Sequence, residues 1–385
     1  MDRPGAAVRG RFVGAVLITA LALTGCSDND DGQGPVDEGE PPVVGCTDGT
    51  VEGALTRVCF PADWNGDLIV YAHGYVEPQA PLAVPENELG GTPVEDLVNS
   101  LGYAYATTSY RANGLVADVA VDDVLELLDL VLRTVRPDPA RVYLVGVSEG
   151  GLVVTLAAER EPERFTGALA ACGPIGDFPR QIDYLNDVRV VFDYLFPGVL
   201  PGDADDPPAE LVDGWTSTYA PAVAAAIEAD PDRGAELATV TGIPDEGIDA
   251  AALAETVVAL LRYNVLGSGD AQGRLGGQPY DNADRVYVGS ADDEALNTGV
   301  ERIAADPDAR AALQRFETTG DPGVTLSILH TTGDPIVRFF HQQLYEEKAI
   351  AAGAAGRLAR RDVDRFGHCA FTATEILAAF GELPQ

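Results

Sequence analysis

Short apolar runs that read as buried strands alternate with stretches of helical period from residue 67 onward, and few folds accommodate that alternation. Residues 67–72 form one such run, ending in His73-Gly74-Tyr75. Residues 103–110, 141–147 and 165–172 read the same way. Between them, 94–100, 121–135 and 150–159 have helical spacing. In the longest, apolar residues recur at 121, 124, 125, 128, 131, 132 and 135, one face of an amphipathic helix. The pattern predicts an α/β protein: a mostly parallel sheet with helices on both faces.

The alternation stops near Gly173-Pro174 and resumes at 324–330. A helix (337–351), a strand (357–363) and a last helix (372–380) complete the series. The interval 178–321 is Ala/Asp/Pro-rich and mainly helical in pattern, as at 222–229 and 250–263. The expected organisation is therefore a sheet core at 46–177 and 322–385, interrupted by an inserted cap or lid at 178–321. The aromatic residues of the insert (Phe178, Tyr184, Phe192, Tyr194, Phe196, Trp215, Tyr219) either line a pocket or pack the cap. Asp183, Asp187 and Asp193 are possible polar readers of a substrate.

The N-terminus reads as a targeting segment. Arg3, Arg9 and Arg11 precede an apolar run at 12–23, too short to cross a bilayer as a permanent helix. It ends in Leu23-Thr24-Gly25-Cys26, which resembles the bacterial lipoprotein lipobox. The resemblance implies a signal peptide at 1–25, lipidation of Cys26, and an exported cell-envelope protein facing the periplasm or the outside. The acidic stretch 26–45 reads as a flexible tether. The expected membrane contact is through that lipid anchor alone.

Asp and Glu number 61 against 25 Lys and Arg, a formal charge of -36. Such a surface repels phosphate backbones, which excludes nucleic acid as an expected partner. Beyond Cys26, four cysteines remain (Cys46, Cys59, Cys172, Cys369), which in an exported chain suggest two disulfides among three possible pairings. Cys172 and Cys369 both fall at the carboxyl edge of the sheet, so the expected bridges are Cys172–Cys369 and Cys46–Cys59. No phosphate-binding Gly-Lys loop or zinc motif appears, so no cofactor or metal is expected.

The strongest chemical signal is Gly146-Val-Ser148-Glu-Gly150, placed where a strand turns into a helix. A serine there is held in a strained backbone with its hydroxyl exposed at the top of the sheet, and the helix N-terminus adds partial positive charge. Glu149 favours that helix terminus electrostatically. Serine needs a base, and the chain has four histidines. His368 lies in a loop after the last expected strand. His73 reads as structural, His330 as a hydrogen-bonded core residue, and His341 as a solvent-facing helix residue. Asp334 directly follows the 324–330 strand, with Pro335 positioned to open the next helix. Asp177, after an earlier strand, competes for the same role.

The nucleophile turn, the His-Gly turn, the acid loop and the Gly-His loop together resemble the α/β-hydrolase superfamily over about 50–177 and 322–385. That resemblance implies that Ser148 attacks a carbonyl, His368 shuttles the proton and Asp334 orients the imidazole. It implies an oxyanion hole from the backbone N–H groups of Glu149 and Tyr75. The expected activity is cleavage of a small or oligomeric carboxylic ester through an acyl-enzyme. A serine exopeptidase of the same fold acting on short peptides is the alternative.

Overall fold

The computed structural model describes residues 42–135 and 137–385. The expected signal segment, Cys26 and most of the tether lie outside the described residues. Eight strands form one sheet: β1 (Gly45–Val51), β2 (Ala54–Phe60), β3 (Asp67–Ala72), β4 (Ala104–Thr108), β5 (Arg141–Val147), β6 (Gly167–Ala171), β7 (Thr325–Gly333) and β8 (Leu358–Phe366). Their order is β1-β2-β4-β3-β5-β6-β7-β8. Every pairing from β4 to β8 is parallel, while β2 runs antiparallel to both its neighbours. This is the α/β-hydrolase fold expected from the sequence.

The strands are buried on both faces, which is why they read as continuous apolar runs. Leu68, Val70, Ala106, Leu144 and Ile328 face one side, with α2 (Ala117–Thr134) and α3 (Glu149–Arg160) packed on them. Ile69, Tyr71, Tyr105, Tyr143 and Leu329 face the other, under α1 (Val94–Ser100). The β1–β2 hairpin was not legible as strands. Its turn, Glu52-Gly53, has φ of 47° and 94°, as a tight right-twisted hairpin requires, but β1 is almost wholly exposed and lacks an apolar face. Cys46 and Cys59 are directly opposite in this hairpin and are joined by a disulfide.

The chain between β6 and β7 forms α4 (Phe178–Leu195), α5 (Ala220–Ala229), α6 (Pro231–Thr241), α7 (Ala250–Leu275) and shorter helices. These enclose a second apolar cluster that includes Phe192, Trp215, Ile227, Leu237, Leu260 and Leu261. Helix α7 is long and apolar enough to cross a membrane by composition, but Leu253, Val257, Leu260, Leu261 and Val265 are buried within this cluster. Tyr184, Phe192, Phe196 and Trp215 belong to the cluster, and Tyr194 and Tyr219 pack against it. The carboxylates proposed as readers are tied to arginines instead: Asp183 to Arg310 and Arg285, Asp187 to Arg285, and Asp193 to Arg189.

Backbone contacts at the turn from β5 into α3 explain its glycines. A Cβ on Gly146 would lie 2.0 Å from the Gly150 carbonyl oxygen, and one on Gly150 would lie 2.1 Å from that of Ala72. Neither neighbour is a flexible side chain. Gly150→Ala is therefore expected to cost about 3 kcal/mol or more, by analogy with overpacked cores, and to lower Tm in thermal denaturation. Gly273→Ala, with open space around it, should leave Tm within a degree or two or raise it.

Candidate active site

Ser148 occupies the junction of β5 and α3 with φ 58° and ψ −125°. Positive φ at a non-glycine residue costs on the order of 1–3 kcal/mol and persists only where the surroundings over-determine it. Here the Ser148 N–H donates to the Ala171 carbonyl at 2.9 Å, and the Gly151 N–H donates to the Ser148 carbonyl at 2.8 Å. The turn after β3 closes the other side. A Cβ on Gly74 would stand 3.1 Å from the Ser148 Cβ. His73 Nδ1 is 2.6 Å from the Gly74 carbonyl, and the buried Tyr110 hydroxyl donates to the His73 carbonyl at 2.9 Å.

Three side chains from three loops meet at the carboxyl edge of the sheet. His368 Nε2 lies 2.9 Å from Ser148 Oγ, and His368 Nδ1 lies 2.8 Å from Asp334 Oδ2. Asp334 is fully buried. Its Oδ1 accepts the N–H groups of Ile336 and Val337 at 2.9 and 3.0 Å, and His330 Nε2 stands 3.4 Å from Oδ2. Burial alone would raise this carboxyl, but His368 and His330 outweigh it and hold the pKa down to about 2. Asp334 is thus an ionised acceptor at any pH where the imidazole is neutral. The arrangement is that of a serine hydrolase: a hydroxyl, a base and a carboxylate that fixes the imidazole tautomer.

Asp177 is elsewhere. Its Oδ1 accepts the Arg180 N–H at 2.9 Å and caps α4. Pro335 does not open a helix, because the next helix, α8 (Phe340–Ala351), starts five residues later. The intervening bend is what points two backbone N–H groups back at Asp334. His341 is not solvent-facing but fully buried. Its Nδ1 accepts the Gly176 N–H at 3.2 Å, and Nε2 donates to Gln181 Oε1 at 3.0 Å. Burial pushes its pKa far below the usual imidazole range. Gln181 also donates to the Ile336 carbonyl, and Tyr184 to that of Pro335. Helix α4 therefore braces the acid loop, a long-range role that no local pattern announces. His73 is buried and stacks on Tyr110, and His330 is buried, its Nε2 2.8 Å from the Val337 carbonyl.

A cavity of about 110 Å³ opens beside Ser148, between the sheet edge and helices α4 and α7. Leu115, Phe178, Ile182, Leu185, Ile336 and Val337 make its walls mainly apolar, and Tyr75, Glu149 and Tyr263 complete one side. Glu149 departs from its expected role. The residue is only 7% exposed, and Oε1 accepts the Val116 N–H, at the start of α2, at 3.2 Å. Burial raises its pKa to about 8, so at neutral pH it carries little charge for the dipole of its own helix. Behind His368, Cys369 is bonded to Cys172.

The prolyl oligopeptidase family matches residues 97–178, from α1 through the nucleophile turn to the first residue of α4. NocK of Nocardia uniformis subsp. tsuyamanensis, a curated protein named as an esterase, is 30% identical over 116 residues, 30% of either chain. The match thus spans less than a third of that relative. Among solved structures, an esterase from Aspergillus oryzae is similar with a TM-score of 0.48 at 14% identity, over 82% of this chain and 70% of that one. Feruloyl esterase B from the same organism gives 0.44 at 14% identity, over 85% and 73%.

Two predictions test this geometry. Asp334→Asn preserves shape but permits the wrong imidazole tautomer, so kcat in a steady-state ester assay should fall about 10⁴-fold. Asp177→Asn should cost tenfold or less, and the reverse ranking would remove Asp334 from the site. The Cys172–Cys369 bridge closes a loop with a sequence separation of 197, worth on the order of 5 kcal/mol in the chain-entropy account. Replacing both cysteines by serine should lower Tm and also kcat, because the His368 loop loses its tie to the end of β6.

Proposed function

We propose that the chain is an exported, lipid-anchored serine hydrolase that cleaves carboxylic esters. The observation that carries the reading is the continuous contact from Ser148 Oγ through His368 to the buried Asp334. In this mechanism His368 takes the Ser148 proton as Oγ attacks the ester carbonyl. The backbone N–H groups of Glu149 and Tyr75 receive the developing oxyanion. His368 then gives its proton to the leaving alcohol, and water resolves the acyl-enzyme by the same steps in reverse.

The ester reading is favoured by the cavity. An exopeptidase must neutralise a charged substrate terminus, and Asp183, Asp187 and Asp193 are engaged by arginines within the cap. The residues described as lining the cavity include no Asp, Lys or Arg, and their one carboxyl, Glu149, is mostly uncharged at neutral pH. The prolyl oligopeptidase match supports the second reading, a peptidase acting on short peptides. Export and lipidation at Cys26 rest on the N-terminal sequence, and intact-mass analysis of the membrane-fraction protein tests them.

The purified protein should be labelled by a fluorophosphonate and should hydrolyse p-nitrophenyl esters much faster than aminoacyl-nitroanilides. Ser148→Ala should abolish labelling and lower kcat by several orders of magnitude. Undiminished turnover by that variant would end the serine-hydrolase reading, and a preference for the anilides would favour the peptidase.

A further inference from the structure

Glu149 is a buried carboxyl that the triad does not use, yet it shares the cavity with the nucleophile. Its Oε2 is buried with no hydrogen-bond partner. A carboxylate in that position has only the backbone donors of Val116 and Ala117 and lacks the imidazoles that flank Asp334, whereas a carboxylic acid carries no charge to offset. The bond from the Val116 N–H to Oε1 fixes the end of the loop 111–116. The cap clamps the same loop from the other side: Asp270 Oδ2 accepts the Leu115 N–H at 2.9 Å, and Arg274 Nη2 donates to the Asn113 carbonyl at 2.8 Å. Leu115, held between the two, forms part of the cavity wall.

We propose that Glu149 is a positioning and specificity-determining residue of this cavity: its buried carboxyl locks the Leu115 wall to the nucleophile turn and suits the cavity to short, uncharged acyl groups. The inference rests on the ester-hydrolase reading above. About 110 Å³ is less than the roughly 150 Å³ of an apolar cavity that holds a benzene, so a short acyl chain fills it. The backbone N–H groups of Val116 and Ala117 and the charge of Arg274 favour the anion, but burial outweighs them. From α7 come Asp270 and Arg274, already paired with each other at 2.8 Å. The phenols of Tyr75, Tyr110 and Tyr263 are all pushed above the usual tyrosine range by burial, with the Glu149 charge adding to the rise. Ionisation would place a negative charge on the residue whose own N–H receives the oxyanion, opposing the transition state.

The sign of the pH dependence follows. Burial raises the Glu149 pKa from 4.5 to about 8, so the uncharged form dominates at neutral pH and is lost as pH rises through about 8. At pH 9 about a tenth remains. The test is kcat/KM of the full chain from pH 6 to 9.5 on p-nitrophenyl butyrate, for wild type and Glu149→Gln. The glutamine keeps the oxygen that accepts from Val116 and cannot ionise. The ratio of variant to wild type should rise about tenfold between pH 6 and pH 9, whatever its value at pH 6. A merely structural role would shift both arms equally. The Tm of the wild type should also fall relative to the variant between pH 4.5 and 8. A variant-to-wild-type ratio constant within twofold from pH 6 to 9.5 would overturn the proposal, as would a succinate half-ester or an octanoate turned over as fast as the butyrate. Should the variant not fold, the wild-type profile decides, because a plateau to pH 9.5 is incompatible with the proposal. Failure of wild type to hydrolyse any ester or take the fluorophosphonate removes the ester-hydrolase reading, and this inference with it.

Discussion

The close backbone approach around Ser148 is the constraint on which the site depends. The end of β3, the turn from β5 into α3 and the end of β6 converge within hydrogen-bond or contact distance of one residue. Glycines at 74, 146 and 150 make the approach sterically possible. Ser148 then takes the positive φ that no helix or strand would give it. Its neighbours have no room to relax, so the strain is retained and the hydroxyl is held clear of the sheet. The two cysteines that tie the His368 loop to β6, Cys172 and Cys369, also have positive φ, 49° and 52°. The edge is therefore fixed by backbone geometry before any side-chain chemistry begins.

Two buried carboxyls within this small region are driven in opposite directions, and the difference lies in the neighbouring imidazoles rather than depth. Asp334 has two backbone N–H groups and two imidazoles around it, which stabilise the anion beyond the cost of burial. Glu149 has the backbone donors of Val116 and Ala117 but no imidazole beside it and an orphaned second oxygen, so burial wins. Separated pKa values of this kind assign different tasks to chemically similar groups. One group orients a base. The other lines a wall.

The core fold and the three residues brought together at the sheet edge were legible because each leaves a local trace. Continuous apolar runs mark strands buried on both faces, and Gly146-Val-Ser148-Glu-Gly150 marks a turn whose sterics demand glycine. What was illegible depends on tertiary partners. His341 sits on a helix of mixed pattern, and only its contact with Gln181, 160 residues away in sequence, makes it a core residue. Glu149 reads as a helix-terminus acid, since nothing local shows that its side chain turns toward Val116 instead. Asp334 and Asp177 both follow strands, and the choice between them needs the packing of α4. That helix is capped by one and braces the loop of the other.

The cap shows why a chain with 61 acidic residues can still enclose an apolar cavity. The Lys and Arg residues of the whole chain are, apart from Lys348, all arginines. The planar guanidinium can bridge carboxylates and carbonyls in one geometry. Arg310 grips Asp183 with two bonds, at 2.7 and 2.8 Å. The fully buried Arg189 reaches Asp193, Asn264 and two carbonyls. Such pairs add little net stability against apolar replacements, because both charges lose their water. They do set register: an Arg189 displaced by one helical turn would leave a buried cation without acceptors. Register is what the cavity needs, since α4 and α7 each present residues to it while also bracing the acid loop and the Leu115 loop. The insert is thus coupled to the triad through hydrogen bonds of defined direction, and the acidic residues that repel one another on the surface are, inside the cap, the partners that hold it in place.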